Sequence, residues 1–517
     1  MAKTSLTKKI ITLIALMLCV VMAFSACNQT GGENPEKEGE TQNTLQNEDE
    51  GTEEGDKETE SKDKETESKD KDTESKDKDT ESKDKNDKPS GGNKPSSNEK
   101  STVWGSNDVD EILSSMPDKV KDKEIHVLMW REYTESEQKQ VDDFQKKTGV
   151  KVRTTITTEY EYSTKLIALI SDKDAPDVVN LGCREFPSRP TKAMQLLDEE
   201  TFRLDDECWQ KSYMEPYSVK GKYYSVAMPG TWSVEDTTFI TIYNKAILKD
   251  AGVSTMPYQL YKSGKWNWAE QQKIMEKVKA AGKVPMTTQG ADLYMLSAGV
   301  DFASYNPTKG EFVSLLDDTK VRPTIENSWK ALQEATNKEL ITTKFDISGF
   351  RQGKYGFMSI ICFTFYNQGG HLDGVDGGIQ NIEAVPVAGP TQSSAYIPFR
   401  PKAWGVAKGA DNVEGAAYFI RYFLDPKTID MDSTFWHKQF KEVFNIITDK
   451  NARKMVQVGY GITDYSNGRG TYDAIVNELA TATVGQAPTI INKHKGKINI
   501  SIKRANAAIE RVAKKIK

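Results

Sequence analysis

Hydrophobic and polar residues begin to follow regular secondary-structure patterns near residue 122. Residues 124–130 (EIHVLMW) are apolar on both alternating faces, which is typical of a strand covered on both sides. Thr134 and Glu137 have the spacing of a capping box, and the amphipathic stretch that follows them ends at Gly149. The pattern predicts a buried strand followed by a capped helix.

The same alternation of elements continues along the chain. Residues 150–156 alternate strictly between apolar and polar side chains, residues 166–170 have helical spacing, and residues 177–181 (DVVNL) are typical of another strand. Strand, helix, strand, helix, strand in this order predicts right-handed crossovers and a parallel sheet of the α/β class. In such sheets ligands bind at the carboxyl ends of the strands, here at residues 130–133 and 182–186.

The first 26 residues have the pattern of an export signal. Lys3, Lys8 and Lys9 precede a fifteen-residue apolar run at 10–24, which is short for a membrane-spanning helix. The run ends in Ser25-Ala26-Cys27, which resembles the lipobox of bacterial lipoproteins, although Phe24 departs from the usual leucine. The resemblance implies cleavage before Cys27 and lipidation of its thiol. An ordinary cleaved signal with an incidental cysteine is the alternative.

Residues 27–105 contain almost no aliphatic or aromatic side chains. The heptapeptide DK(E/D)TESK runs four times, from Asp56 to Lys83. None of its seven positions is apolar, so the repeat has no seam that a coiled coil could bury. The segment is predicted to be a disordered, charged tether between the anchor and residues 106–517, which form the globular part.

Charge and cysteine content exclude several classes. The chain has 517 residues and a formal net charge of −6, which gives no reason to expect a nucleic acid as a partner. After processing, the cysteines that remain are Cys183, Cys208 and Cys362, and they lack the spacing of a zinc site. Buried thiols are the simplest interpretation, and a bridge between Cys183 and Cys208 is the alternative.

Motifs for catalysis or for cofactors are absent from the sequence. The four histidines have no metal-ligand spacing, and no phosphate-binding loop or dinucleotide fingerprint occurs. Carboxylate pairs occur throughout an acidic chain and do not identify a glycosidase. The sequence therefore predicts a protein that is not an enzyme and that holds neither a metal nor a cofactor.

Several short segments along the chain form a recognisable series: 144–149 (FQKKTG), 221–229 (GKYYSVAMP), 242–245 (IYNK), 251–253 (AGV), 265–268 (KWNW), 350–358 (FRQGKYGFM) and 404–409 (WGVAKG). Together they resemble the family 1 extracellular solute-binding proteins, the group that includes maltose-binding and other sugar-binding proteins of ABC importers. Gly356 and Phe357 replace the small pair that is usual in the sixth segment. The resemblance covers residues 123–517.

The resemblance implies the two-lobed type II fold of periplasmic binding proteins, with a ligand cleft between the lobes. The first lobe is expected at about 123–236 and 397–435, and the second at about 242–385 and 448–517. The hinges are expected near 234–241, near 385–397 and within 435–448.

Candidate ligand-binding residues follow from the strand ends and from the resemblance. Aromatic rings stack on the C–H faces of sugars, and planar charged groups bind their hydroxyls. The candidates are Trp130, Arg131, Tyr133, Arg184, Glu185, Trp232, Phe363, Phe365, Tyr366 and Trp404. Each aromatic could equally be core packing, and Arg131 and Arg184 could pair with the neighbouring glutamates. Trp266, Trp268 and Trp329 are interpreted as structural.

The predicted function is capture of a small solute, a mono- or oligosaccharide, for an ABC import permease. The protein would be a monomer held by lipid on the extracellular face of the cytoplasmic membrane. A surface-displayed carbohydrate-binding module or a sensor partner without transport is one alternative. A polar ligand other than a sugar is another, because arginines also bind carboxylates and phosphates.

Overall fold

The computed structural model describes residues 108–158, 161–182, 190–228, 237–362, 372, 374–400, 402–425, 427–428, 435–449, 451–459, 462 and 470–516. The strands in these ranges are β1 (Ile125–Met129), β2 (Val152–Ile156), β3 (Val178–Gly182), β4 (Ser218–Val219), β5 (Lys222–Tyr223), β6 (Ser225–Val226), β7 (Phe239–Asn244), β8 (Val284–Thr288), β9 (Ala303–Asn306), β10 (Glu311–Ser314), β11 (Ile341–Thr342), β12 (Tyr355–Ile361), β13 (Ile382–Pro386), β14 (Ile397–Phe399), β15 (Lys402–Gly405) and β16 (Lys454–Val456). The predicted signal peptide and tether lie outside the described residues.

Helices cover the sheets and form the C-terminal part of the chain. The α-helices in the described ranges are α1 (Val109–Ser114), α2 (Asp118–Lys121), α3 (Glu135–Thr148), α4 (Tyr162–Ser171), α5 (Pro190–Ala193), α6 (Glu199–Phe202), α7 (Lys211–Met214), α8 (Lys245–Asp250), α9 (Pro257–Lys262), α10 (Trp268–Ala280), α11 (Leu293–Ser297), α12 (Arg322–Asn337), α13 (Ile347–Arg351), α14 (Val413–Phe423), α15 (Phe435–Thr448), α16 (Thr471–Thr481) and α17 (Ala487–Ala513). Short 3₁₀ turns occur at Glu215–Tyr217, Ile379–Asn381 and Gln392–Ser394. Among the described helices none is both long enough and apolar enough to cross a membrane.

The first sheet has the strand order β2–β1–β3–β15–β6. Strand β1 runs parallel to β2 and β3, whereas β15 runs antiparallel to β3 and β6. All five residues of β1 are buried, with Val127 and Leu128 in core clusters on opposite faces. The prediction that β1 is covered on both sides and pairs in parallel with its neighbours is therefore confirmed.

Helix α3 begins and ends where the sequence pattern predicts. The Thr134 hydroxyl accepts a hydrogen bond from the Glu137 amide, and the Glu137 carboxylate accepts one from the Thr134 amide. Gly149 ends the helix with a φ of 75°, a left-handed conformation that glycine adopts without steric cost. These contacts fix the loop between β1 and α3, where candidate ligand residues lie.

The second sheet has the order β11–β8–β12–β7–β13. Strands β8, β11 and β12 are parallel, and β7 is antiparallel to both β12 and β13. Phe357 on β12 faces Trp266, which is 1% exposed and donates its indole N–H to the Pro386 carbonyl at 2.8 Å. The structural interpretation of Trp266 is thereby confirmed. Trp329, also 1% exposed, stacks on Phe302 within the same core.

Three chain segments lie side by side next to the two sheets, and the chain passes from one sheet to the other at two of them, before β7 and after β14. Strand β14 pairs in parallel with β16, and Thr238 forms an isolated antiparallel bridge with Phe399. The third segment differs from the expected 435–448, because α15 covers that range and packs on β13 of the second sheet. Its apolar side chains, Phe440, Val443, Phe444 and Ile447, are buried in the core of that sheet. The third segment of the junction is instead β16, which follows α15 in the chain and pairs with β14.

Candidate functional site

The carboxyl edge of the first sheet brings Trp130 and Lys402 together. Trp130 directly follows β1, and Lys402 begins β15 in register with Gly182 at the end of β3. The Lys402 Nζ lies 3.6 Å from the centroid of the Trp130 ring. Because β3 separates the two strands, Lys402 reaches across roughly 10 Å, two strand spacings. The partly buried Trp130 indole, with the Lys402 ammonium over its ring, therefore lies at this edge of the sheet.

Arg131 contributes to the capping of α3. Its two terminal nitrogens donate to both carboxylate oxygens of Glu137 at 2.6 and 2.7 Å, and one also donates to the Glu132 carbonyl at 2.7 Å. Glu137 is 1% exposed. The guanidinium thus balances a buried carboxylate, and its Cζ lies 5.3 Å from the Trp130 ring centroid. The acidic partner is Glu137, six residues away, rather than the side chain of the neighbouring Glu132.

Tyr133 and Trp404 pack toward the same helix. Their rings lie 6.0 and 5.2 Å from the ring of Phe423 on α14. The Tyr133 hydroxyl accepts a hydrogen bond from Thr154 at 3.2 Å, and burial raises the pKa of Tyr133. Trp404 is only 2% exposed. In this conformation both rings pack with the core of the first sheet, and their contact with a ligand stays a prediction.

The remaining candidates lie outside the described residues. They are Arg184, Glu185, Trp232, Phe363, Phe365 and Tyr366, together with the lipidation site Cys27. The strands that precede two of these groups are described and end at Gly182 and Ile361. Of the cysteines, Cys208 is a free thiol whose pKa burial raises to about 12, and Cys362 is buried. The bridge from Cys208 to Cys183 is therefore not formed in this structure.

A buried polar network next to the junction was not predicted from the sequence. Asp292 is 2% exposed and accepts hydrogen bonds from the side-chain Nε2 of Gln457 at 2.6 Å and from the Tyr472 hydroxyl at 3.1 Å. Arg400 Nε donates to the Gln457 side-chain oxygen at 2.7 Å. Burial raises the pKa of Asp292, and the nearby Arg400 opposes that rise. The network links the residues that follow β14 and β16 to the second sheet.

Asp301 holds the chain after β16 through backbone donors. Its carboxylate accepts hydrogen bonds from the amides of Val458 at 3.0 Å, Gly459 at 2.8 Å and Phe302 at 2.7 Å. Burial raises the pKa of Asp301 to about 7, although these donors act in the opposite direction. No sequence spacing reveals these contacts, because Asp292 and Gln457, and likewise Asp301 and Val458, lie more than 150 residues apart. Only the fold brings them together.

Comparisons with solved structures show the same fold. The galacto-N-biose-/lacto-N-biose I-binding protein of an ABC transporter from Bifidobacterium longum, in complex with lacto-N-biose, has a TM-score of 0.55 and 15% identity, covering 74% of this chain and 98% of that one. An ABC substrate-binding protein from Listeria monocytogenes, in complex with cycloalternan, has a TM-score of 0.53 and 19% identity, covering 74% and 99%. UgpB from Mycobacterium tuberculosis, in complex with glycerophosphocholine, has a TM-score of 0.52 and 14% identity, covering 74% and 99%.

A family comparison agrees with these folds. Residues 139–435 match the family described as bacterial extracellular solute-binding protein, and this match covers more than half of the chain. No curated protein sequence matches the chain significantly. The matched region runs from α3 through both sheets to the start of α15 and includes two of the three junction segments. The chain therefore belongs to the family of bacterial extracellular solute-binding proteins.

Proposed function

We propose that the protein captures a mono- or oligosaccharide between two lobes and delivers it to the permease of an ABC importer. One observation carries this proposal most strongly. Two separate five-stranded sheets meet at three adjacent chain segments, and Trp130 stands at the carboxyl edge of the first sheet. Ligands of open α/β sheets bind at such edges.

The junction supports a hinge mechanism. Its segments are joined by the pairing of β14 with β16, by the bridge at Thr238, and by the Arg400 amide, which donates to the Thr237 carbonyl at 2.9 Å. A few residues at such a junction can absorb the rotation of one lobe relative to the other. A ligand that touches both lobes stabilises the closed form by its extra contacts, and a permease can distinguish that shape from the open one.

Saccharides are the ligand class that the chain's aromatic residues favour. An indole face stacks on the apolar C–H face of a sugar ring, and Trp130 offers such a face at the strand end. The structural relatives from Bifidobacterium longum and Listeria monocytogenes bind lacto-N-biose and cycloalternan. The other candidate ligand residues, including Trp232, Phe363, Phe365 and Tyr366, remain part of the proposal.

A polar solute other than a sugar is the second candidate. Lys402 and Arg131 place two cationic groups within 3.6 and 5.3 Å of the Trp130 ring. The relative from Mycobacterium tuberculosis binds glycerophosphocholine, a phosphodiester. Cations of this kind bind carboxylates or phosphates by charge-assisted hydrogen bonds.

Our proposal for the location of the protein in the cell rests on its N-terminal segment. Export and lipidation at Cys27 would hold a monomer on the outer face of the cytoplasmic membrane, and residues 27–105 would act as the tether. The lobe boundaries expected from the family resemblance belong to this proposal. So does delivery to a permease, as opposed to display at the surface or partnership with a sensor.

A ligand screen with the chain from residue 28 onward tests solute capture. Ligands that bind only the folded state increase the free energy of unfolding and therefore raise Tm. The increase is about 2.7 kcal/mol at a hundredfold excess over Kd. We expect a rise with one saccharide series and none with amino acids or peptides. Calorimetry with Trp130→Ala should show affinity weaker by about tenfold, whereas Trp130→Phe, the matched control, keeps a stacking face. A rise with only non-sugar ligands contradicts the saccharide assignment.

Uptake measurements test delivery. Cells that lack this protein should lose high-affinity import of the saccharide identified in the screen, and the full-length chain should restore it. Import that is unchanged in the deletion strain contradicts the transport role and favours display or sensing.

A further inference from the structure

We propose that the exposed side of α17 is a docking surface for a phospholipid bilayer that carries anionic headgroups. The inference goes beyond solute capture, because it concerns a surface of the protein rather than its ligand site. We call this surface the basic face of α17. It is formed by Lys493, Lys497, Ile500, Arg504, Ala507 and Arg511, which are all exposed.

Spacing along the helix places the six residues on one side. They follow one another at intervals of four, three, four, three and four positions, which is the repeat of a single helical face. The face extends over about 27 Å. The opposite side of α17 carries Ile491, Ile498 and Ile502, which are buried in the core. The packing of the helix therefore directs the basic face toward solvent.

Positive charge is concentrated on α17, although the whole chain has a formal net charge of −6. Residues 487–516 contain eight lysines and arginines and one acidic residue, Glu510. Glu510 lies beside the basic face and pairs with Lys514 at 2.9 Å. Such a one-sided distribution produces a local positive field that the net charge of the chain conceals.

Acidic groups on neighbouring elements are already matched by cations. Glu478 on α16 pairs with Lys493 at 2.7 Å, at the start of the basic face. Asp317, which follows β10, pairs with Lys495 on the flank of the helix. These pairs leave the rest of the face positively charged.

The three other cations of the basic face are Lys497, Arg504 and Arg511. Among the residues that the structure describes, none forms an ion pair with them. Arg511 Nε donates to the Ala507 carbonyl at 3.1 Å, a contact that leaves its charge unbalanced. An anionic partner can therefore bind all three through charge-assisted hydrogen bonds.

An apolar side chain at the middle of the basic face favours a bilayer as this partner. Ile500 is 53% exposed and lies between Lys497 and Arg504. Headgroup phosphates can bind the cations while Ile500 enters the boundary between headgroups and acyl chains. A soluble acidic polymer offers charges but no apolar layer. Because the apolar side of α17 is buried in the core, the helix would lie on the bilayer and not within it.

The proposed lipid anchor would assist this contact without being required for it. Lipidation at Cys27, which belongs to the proposed function, would keep the globular part near a bilayer. Linkage of this kind raises the effective concentration of the second contact, so a weak docking surface would suffice. The docking surface can therefore be tested with the chain that lacks the lipid.

Vesicle co-sedimentation with the chain from residue 28 onward tests the docking surface. We expect binding to vesicles of phosphatidylglycerol and phosphatidylcholine in equal parts, and none to vesicles of phosphatidylcholine alone. Each cation near an anionic surface contributes about fivefold to binding, so the triple variant Lys497→Gln, Arg504→Gln and Arg511→Gln should bind about a hundredfold more weakly. Added salt should weaken the binding of the unaltered chain, because it screens these charges.

Two further variants sharpen the test. The control combines Lys146→Gln, Lys265→Gln and Lys344→Gln, which remove the same charge from exposed positions on other elements, and it should bind as the unaltered chain does. Ile500→Ser should weaken binding by about fivefold, because it removes the side chain that enters the boundary. Unchanged Tm in all variants shows that they remain folded.

The outcomes separate this inference from the proposed function. Vesicle binding that the triple variant loses and the control keeps supports the docking surface. Absence of vesicle binding, equal binding to both vesicle compositions, or equal losses in the triple variant and the control overturn it. Binding of soluble polyglutamate as tight as that of vesicles, and unaffected by Ile500→Ser, identifies an acidic protein or polymer as the partner and overturns the bilayer assignment. Saccharide binding, measured by calorimetry, should be unchanged in the triple variant.

Discussion

Two groups of acidic side chains, one beside the first sheet and one beside the second, are stabilised differently. At the first sheet, Arg153 donates to Glu124 and to Asp174, each at 2.6 Å, and all three side chains are partly exposed. At the second sheet, Asp292 and Asp301 are buried, and their described hydrogen bonds come from amide and hydroxyl donors. The Arg153 cluster matches charge with charge, whereas neutral donors surround Asp292 and Asp301. Neutral backbone donors also surround Asp177, which is buried just before β3.

The two groups of carboxylates also differ in the direction of their pKa shifts. Lys151 and Arg153 hold the pKa of Glu124 below its usual range, and Arg153 does the same for Asp174. Burial instead raises the pKa of Asp292 and that of Asp301. Surface ion pairs contribute little to stability, whereas a buried acceptor is costly to remove. Substitutions near the junction should therefore be more damaging than those in the ion-pair cluster of the first sheet.

The largest effect is expected for Asp301→Ala. The variant removes the acceptor of three backbone N–H groups, those of Phe302, Val458 and Gly459. Buried donors without an acceptor each cost about 1–3 kcal/mol, so we expect a loss of about 3–5 kcal/mol in the free energy of unfolding. Urea denaturation followed by tryptophan fluorescence measures it. The control is Asp172→Ala at the exposed end of α4, and a loss no larger than in that control contradicts the assigned role.

Arg131→Met should be less damaging and should separate capping from ligand binding. The variant leaves Glu137 buried without its cationic partner, although the Thr134 amide still donates to it. We expect a loss of about 2–3 kcal/mol in stability and little change in saccharide affinity. Urea denaturation and calorimetry measure the two quantities. A large loss of affinity with unchanged stability would instead make Arg131 a ligand contact.

The pH dependence of stability should have opposite signs at His126 and at Asp301. Burial lowers the pKa of His126 on β1, so the unfolded state binds the proton more readily and stability falls as pH drops below about 6.5. The pKa of Asp301 is raised to about 7, so the folded state binds the proton more readily and stability falls as pH rises from about 4 toward 7. Each group contributes a slope of up to about 1.4 kcal/mol per pH unit.

Two variants test the contributions of His126 and Asp301 to the pH dependence of stability separately. His126→Gln should reduce the loss of stability between pH 7.5 and pH 5, by at most about 2 kcal/mol because the unfolded-state pKa lies near 6.5. Asp301→Asn should be most destabilising relative to wild type at low pH, with a deficit that shrinks as pH rises. Urea denaturation at several pH values measures both. Parallel pH profiles for wild type and both variants would show that neither residue controls the pH response.

Local patterns predicted much of the first sheet. Strand β1, helix α3 with its cap at Thr134, strand β2 and strand β3 all follow from the alternation of apolar residues and from capping spacing, which act over a few residues. The junction strand β16 was missed because three residues carry too little periodicity. Its pairing with β14 depends on the packing of the whole chain.

Less of the candidate site than of the first sheet could be predicted from the sequence. Trp130 was predicted from its place after β1, but Lys402 was not, because 272 positions separate the two residues and only the strand order brings them together. The buried network of Asp292, Gln457 and Tyr472 has the same origin. Sequence spacing identifies local caps, whereas burial of a polar side chain depends on distant elements.

The smallest effect is expected for Tyr472→Phe, which tests how much one neutral donor contributes to the buried network. The variant keeps a ring that packs 5.4 Å from Phe302 but removes the hydroxyl that donates to Asp292 at 3.1 Å. Gln457 still donates to Asp292, so we expect a loss of about 1 kcal/mol in the free energy of unfolding. Urea denaturation measures it, with the half-buried Tyr261→Phe as control. A loss as large as that of Asp301→Ala would mean that the hydroxyl supports the whole network, and the neutral donors would then act as one cooperative unit.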